Sequence, residues 1–448
     1  MAAPVYPFTV RSRDVWAIAL PASIAFITEP LAGIIDIAII GRLGDAGMLG
    51  GLVLGTLLFD ALFSLAYFLR IGTAGLTAQA IGARDPRDGL LHAARALLLA
   101  VLIGLFMIAL GGPIHALAAA LLAPPPSAAP ALEIYFFVRI WSAPFSLVNY
   151  ALLGWFYGRA AARTGMMLQI LIHGVNVALS LLFVYGFGWG IVGAALGTVL
   201  GNAAAALLGL VLLLRHFGGI GTVLAAIVPA ELLDGTALRR MFALSRDLMI
   251  RSAALMGAYG YFAAMGSRSG EIVLSANAVL LNLMMVASFF LDGLAQAAEQ
   301  LVGKSVGARF RPAFDRAYVL SMRWGLVIAG GLFAFWVLGG GLIIDLMTTN
   351  EAVRAHARDF LWVAALMALT GMPAFVYDGI LVGATLNVTM RNGMIAALAL
   401  FLASAMVLEP LLGNTGLWLG LHVFFLARGA YYFLALERRR GALFPDPA

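Results

Sequence analysis

No cysteine occurs anywhere in the 448 residues, so disulfides, thiol nucleophiles and zinc-thiolate sites are excluded. Charge is scarce too. Asp, Glu, Lys and Arg make up 11% of the chain, where a soluble domain carries about a quarter. The N-terminus, MAAPVYPFTVRSRD, shows no charged-then-apolar signal peptide with a cleavage site. The alternating pattern of an outer-membrane barrel is missing as well. What is there is apolar: 62% of residues are hydrophobic and mean hydropathy is +0.98. Apolar runs of about 20 residues recur from end to end, each long enough to span a bilayer. The sequence therefore predicts an all-α polytopic membrane protein. Its formal charge of +6 does not call for nucleic acid, because basic residues of membrane proteins gather on the cytoplasmic side.

Twelve spans are predicted, near 15–40, 48–80, 89–112, 131–155, 165–187, 190–214, 239–266, 271–303, 316–346, 357–385, 392–411 and 416–436. Asp14 reads as the cap of the first. Loops assigned to one side hold 20 of the 28 Lys and Arg, those on the other hold 4, and 4 lie within spans. That asymmetry places both termini in the cytoplasm. The longest connection runs from Arg215 to Arg246 and divides the chain. The expected domains are an N-terminal lobe at 1–214, a cytoplasmic linker at 215–238, a C-terminal lobe at 239–437 and a cytoplasmic tail at 438–448.

The halves repeat. The Gly-Ala-Arg ending at Arg84 recurs at Arg309. The run PFSLVNYALLG from Pro144 matches PAFVYDGILVG from Pro373, and RTGMM from Arg163 matches RNGMI from Arg391. The offsets are 225, 229 and 228 residues. Six spans per half start each repeat on the same side. The lobes should therefore be related by a pseudo-two-fold axis along the membrane normal, a transporter plan.

Chemistry inside the membrane centres on Ala25 to Gly44. This apolar stretch carries Glu29, Pro30 and Asp36. An ionisable group in a membrane helix marks an ion or substrate path by default. Seven residues apart, the two acids share a helix face, roughly 10 Å from each other. Ala32 and Gly33 between them are too small to shield Asp36. Apolar surroundings disfavour a bare carboxylate, which suits a group that exchanges protons.

His173, Asn176 and Ser180 share a face of the fifth span; with Thr198 in the sixth, Asn176 and Ser180 are placed to supply oxygens near Asp36, and His173 reads as a hydrogen-bonded core histidine or, alternatively, a proton carrier. In the eighth span Asp292, Gln296 and Glu299 form a second polar stripe, and Asp378 lies in the tenth. These acids suit a cavity for organic cations; pairing of the acids with Arg251 or Arg428 is the competing expectation. Arg70 and Arg139 read as structural counter-ions. Met284 and Met285 are candidates for an adaptable apolar lining. Gly193, Gly197 and Gly201 predict close helix packing.

Gly303-Lys304-Ser305 imitates the end of a phosphate-binding loop, but no strand or first glycine precedes it. The six histidines are scattered, and no nucleophile–base pair or metal cluster appears. No enzyme, cofactor or metal is expected, and transport must run on an ion gradient or passively.

These residues resemble the multidrug and toxic compound extrusion (MATE) family, in its DinF-type branch. The matching runs are EPLAGIIDIAIIG from Glu29, FLRIGTAGLTAQA from Phe68, RDLMIRS from Arg246, LDGLA from Leu291 and DGILVGA from Asp378. The resemblance implies two six-helix lobes in a V and cation-coupled export of lipophilic organic cations and other drugs by a monomer in the cell inner membrane. The family's first-helix aspartate falls on Asp36, its fifth-helix asparagine on Asn176 and its sixth-helix threonine on Thr198. Some relatives have a second aspartate where this chain has Ser180. A lone titratable carboxylate suits H+ better than Na+, which wants several hard oxygens. Na+ stays open as the coupling ion. The coupling set is then Asp36, Asn176, Ser180, Thr198 and Glu29, and the substrate set Asp36, Asp292, Gln296, Glu299, Asp378, Met284 and Met285. A lipid-linked precursor flippase is the alternative; it would want a cationic cavity.

Overall fold

The computed structural model describes residues 5–444, without the side chains at 237, 238, 240 and 241. Every regular element among them is helical. In chain order these are α1 (Ser12–Gly41), α2 (Ala46–Ala66), α3 (Phe68–Gly82), α4 (Pro86–Ala109), α5 (Gly111–Leu122), α6 (Ala129–Arg139), α7 (Ala143–Gly158), α8 (Ala162–Leu181) and α9 (Gly190–His216). There follow α10 (Ile220–Ala226), α11 (Pro229–Leu232), α12 (Gly235–Arg268), α13 (Glu271–Gly307), α14 (Arg311–Met347), α15 (Glu351–Gly383), α16 (Asn387–Leu412) and α17 (Asn414–Leu443).

Among the described residues, eleven helical segments are long and apolar enough to cross a membrane. An all-helical chain fits a bilayer because each helix satisfies its own backbone hydrogen bonds where no water can. The seventh expected span is present as α12, 34 residues long. It is less apolar than the other spans because Arg251, Tyr259 and Tyr261 lie in its hydrophobic stretch. Two spans are interrupted. The second breaks at Tyr67 into α2 and α3, and the fourth passes through a 3₁₀ turn at Ile140–Ser142 between α6 and α7.

Other boundaries shift for local reasons. Asp14 is not the cap of α1; the helix starts at Ser12, and Asp14 reaches back from its first turn to the Arg11 N–H at 2.8 Å. Asp45 and Asp85 do act as caps, accepting from the backbone of Met48 and Asp88. α1 runs on through Pro21 and Pro30 without a break. The long connection expected from Arg215 to Arg246 is shorter than it reads, since α10 and α11 lie in it and α12 begins at Gly235. Arg87 Nη2 holds the Glu231 carboxylate at 2.8 Å and Arg95 holds its backbone carbonyl at 2.7 Å, fixing that connection against α4.

The chain divides into two compact units. One comprises Ile24–Thr77 and Asp85–Phe242; the other comprises Met1–Ser23, Ala78–Arg84 and Ala243–Ala448. The division falls inside α1, whose first turns belong with the C-terminal half. The N-terminal unit has a buried aromatic centre in which Phe59 stacks on Phe136 and meets Tyr135 edge-on. In the C-terminal unit Phe262 packs edge-on against Trp418. The Trp418 N–H is satisfied by Asn277 at 3.0 Å, and Asn277 exchanges two bonds with Asn414. A buried indole donor needs such a partner.

Candidate functional site

In the N-terminal unit, α8 and α9 pack through glycine. A Cβ on Gly197 would lie 2.5 Å from Ser180 Oγ, and one on Gly201 2.5 Å from the Ile172 carbonyl. This close approach, expected from the four-residue glycine spacing, brings Thr198 of α9 against Asn176 of α8. Thr198 Oγ1 donates to Asn176 Oδ1 at 3.0 Å, and Ser180 Oγ donates to the same oxygen at 3.3 Å. Its oxygen so occupied, Asn176 turns its Nδ2 outward and donates to Asp36 Oδ2 on α1 at 2.9 Å. Asp36, Asn176, Ser180 and Thr198 thus form one hydrogen-bonded group. The other carboxylate oxygen, Asp36 Oδ1, is buried with no hydrogen-bond partner among the described residues. α8 ends in a π-turn at Leu182–Gly186, and Tyr185 in it donates 2.8 Å to the Ile39 carbonyl, tethering α1 one turn beyond Asp36. π-turns recur at functional sites.

Glu29 is not part of that group. It is exposed, with no hydrogen bond or ion pair among the described residues. The charges that bear on it are Arg70, Asp60 and Arg139. Asp60, an exposed acid inside the apolar helix α2, escaped the sequence reading. The signal was there: it is the one charge in AGMLGGLVLGTLLFDALFSLA. Arg139 bears on Glu29, Asp36, Asp60 and His173 alike, and its Nη1 donates 2.9 Å to Tyr135 Oη. To the three acids it is an opposite charge, to a protonated His173 a like one. Arg70 lies over the rings of Phe26, Tyr67 and Tyr157 at 4.5–5.2 Å. The His173 Nε2 is buried with no hydrogen-bond partner among the described residues.

The C-terminal unit treats its acids differently. Asp378 Oδ2 on α15 accepts from Arg251 of α12 and, at 2.6 Å, from Arg428 of α17. Arg428 is 2% exposed. The pairing that competes with cation attraction is thus present at Asp378, and one carboxylate between two guanidiniums leaves the trio net positive. Asp292 of α13 bears on Arg251, and Gln296 donates 3.0 Å to Glu299 within the same helix. Met284 is partly buried against the hydrophobic core of this unit. Met285 is 49% exposed.

A protein-family model named MatE matches twice, at residues 21–182 and 249–411. The chain belongs to the MatE family. The second match starts 228 residues after the first and ends 229 after it, the offset found within the sequence. DNA damage-inducible protein F of Escherichia coli (strain K12) is 34% identical over 94% of this chain and 91% of its own. Multidrug export protein MepA of Staphylococcus aureus (strain N315) is 23% identical over 89% of this chain and 87% of its own. A solved structure of a MATE protein in the bent conformation shares the fold with a TM-score of 0.87, at 19% identity, covering 97% of this chain and 99% of that one. This MatE chain is a multi-pass membrane transporter, not an enzyme.

Proposed function

We propose that the protein is a multidrug efflux antiporter of the cell inner membrane, with both termini cytoplasmic, working as a monomer. It exports lipophilic organic cations and other drugs in exchange for H+. Membership of the MatE family and the relative named as a multidrug export protein support the substrate class. The observation that carries the choice of ion is the state of Asp36. One oxygen holds the Asn176 amide and the other has no partner among the described residues. The neighbouring oxygens are turned inward, because Asn176 Oδ1 already accepts from Thr198 and Ser180. A Na+ ion would have to strip several such bonds to gather its ligands. A proton needs only the carboxylate.

In the cycle, Asp36 takes up a proton in the outward-open state. Its charge vanishes, the pull on the Asn176 amide weakens, α1 repacks near Pro30 and the drug leaves. In the inward-open state Asp36 releases the proton and a new drug binds. Coupling requires that the two states differ in proton affinity. The test is efflux from proteoliposomes under imposed H+ or Na+ gradients, with the unsubstituted protein beside Asp36→Asn. H+-driven efflux that disappears in D36N is the expected result. Efflux that survives the substitution, or that follows only the Na+ gradient, overturns the reading.

A further inference from the structure

The hydrogen bonds around Asp36 do not stop at Thr198. Asn202, one turn along α9, donates from Nδ2 to the Thr198 carbonyl at 3.0 Å. Asn149 of α7 donates from Nδ2 to the Asn202 carbonyl at 2.9 Å and to its Oδ1 at 3.3 Å. Both asparagines are buried, Asn149 at 2% exposed. Followed from the far end, every donor points toward the carboxylate: Asn149 to Asn202, Asn202 to Thr198, Thr198 to Asn176, Asn176 to Asp36. The path changes carrier at Thr198, whose backbone carbonyl accepts from Asn202 while its hydroxyl donates to Asn176, so the two asparagines act by fixing where that hydroxyl sits. A donor held against a carboxylate favours its ionised form. The orientation at Asn149 is fixed, because the reversed amide would press its oxygen against the Asn202 carbonyl.

One joint in the line has two settings. The Thr198 hydroxyl has a single hydrogen and two acceptors in reach, Asn176 Oδ1 at 3.0 Å and the Ala194 carbonyl at 3.2 Å. A charged Asp36 draws that hydrogen toward Asn176. A neutral Asp36 lets Ala194 compete for it.

The sequence repeat gives a second, independent reason to single out the far end. Position 149 plus 229 is 378, and position 202 plus 226 is 428. The latter offset also superposes Gly190, Leu200 and Ala204 on Gly416, Leu426 and Ala430. The contact between Asn149 and Asn202 is thus the counterpart of the ion pair between Asp378 and Arg428. In one half the contact is a neutral amide pair, which adjusts without stranding a charge. In the other it is a fixed pair of charges.

We infer that Asn149 and Asn202 are positioning residues for the Asp36 site, linking its protonation state to α7. The inference rests on the proton-coupled reading of Asp36. Its test runs full-length Asn149→Ala, Asn202→Ala and Asp36→Asn in proteoliposomes, reading H+-driven efflux of ethidium against pH. Loss of either asparagine's contact loosens the placement of the Thr198 hydroxyl behind Asn176 and so makes the ionised carboxylate less favoured. The pH of half-maximal efflux should therefore rise by about 0.5–1 unit in N149A and N202A, with the maximal rate kept within about twofold. A merely structural asparagine would lower the rate and leave the midpoint in place. Profiles of N149A and N202A that overlie the unsubstituted one, beside a D36N protein that has lost the drive, overturn this inference and leave the coupling reading standing. D36N that keeps the drive overturns the coupling reading itself. Infrared spectroscopy of the purified proteins gives a second readout independent of transport. The protonated carboxyl band that D36N removes should shift in N149A, and an unshifted band counts against the relay.

Discussion

Asp36 and Asp378 are both carboxylates inside membrane-spanning helices, but the two halves hold them in opposite ways. Asp36 meets one neutral amide, backed by two hydroxyls, of which that of Thr198 has an alternative acceptor. Asp378 meets two guanidiniums, one of them fully buried, which tie three helices together. A carboxylate held by neutral donors can lose its charge without leaving an uncompensated ion behind. A carboxylate between two arginines cannot, because neutralising it strands the buried Arg428 and leaves Arg251 only the more distant Asp292. Repeated architecture does not therefore mean repeated chemistry. One half is arranged so that a charge can change, the other so that it stays.

The largest expected effect breaks that comparison directly. Asp378→Asn should lower stability by about 3–5 kcal/mol, the range seen when one partner of a buried ion pair is removed. Asp36→Asn keeps the amide contact and should stay within about 1 kcal/mol of the unsubstituted protein. Thermal unfolding in detergent micelles measures both. Equal unfolding temperatures for the two variants would show that Asp378 does not hold α12, α15 and α17 together.

A smaller effect sharpens the comparison on the side of substrate. Glu29 and Asp60 are exposed acids without ion-pair partners among the described residues. Asp292 already lies near Arg251. Neutralising a charge some 10 Å from a bound cation, at an effective dielectric of about 20, changes affinity by roughly tenfold. Glu29→Gln and Asp60→Asn should each weaken ethidium binding to about that extent. Asp292→Asn should weaken it less, because Arg251 opposes its charge. Fluorescence titration of the purified variants decides the order, and a larger loss in D292N would reverse the assignment of polarity to the two halves.

The class of fold was legible because the bilayer permits little else: long apolar runs in a chain without strand alternation must be helices. The repeat was legible because Pro144, Asn149 and Gly154 keep the spacing of Pro373, Asp378 and Gly383. The group around Asp36 was legible in part, since helical spacing puts Asn176 and Ser180 on one face and glycine spacing draws α9 close. What stayed hidden needed contacts between helices that spacing does not encode. Nothing local to Asn149 says that it meets Asn202, 53 residues on. The pairing at Asp378 became visible only from where α12 and α17 place their arginines. The break at Tyr67 has no proline to announce it, and the two prolines of α1, which suggest a break, leave the helix continuous.

The smallest effect lies at the joint of the neutral chain. Thr198→Val removes one hydroxyl and keeps the shape, so the backbone approach allowed by Gly197 and Gly201 persists. Asn176 Oδ1 loses its nearer donor and keeps the longer one from Ser180, at 3.3 Å against 3.0 Å. The cost to stability should be about 1 kcal/mol. The pH of half-maximal efflux should rise, because the amide facing Asp36 is less firmly oriented toward the charged form. Ser180→Ala removes the weaker bond and should shift the midpoint less. The order of these two shifts separates an oriented amide from a generally polar pocket, in which either hydroxyl would count the same. Efflux profiles of T198V and S180A measured side by side give the answer. Equal shifts would mean that the neutral half holds Asp36 by polarity alone, without the directional chain.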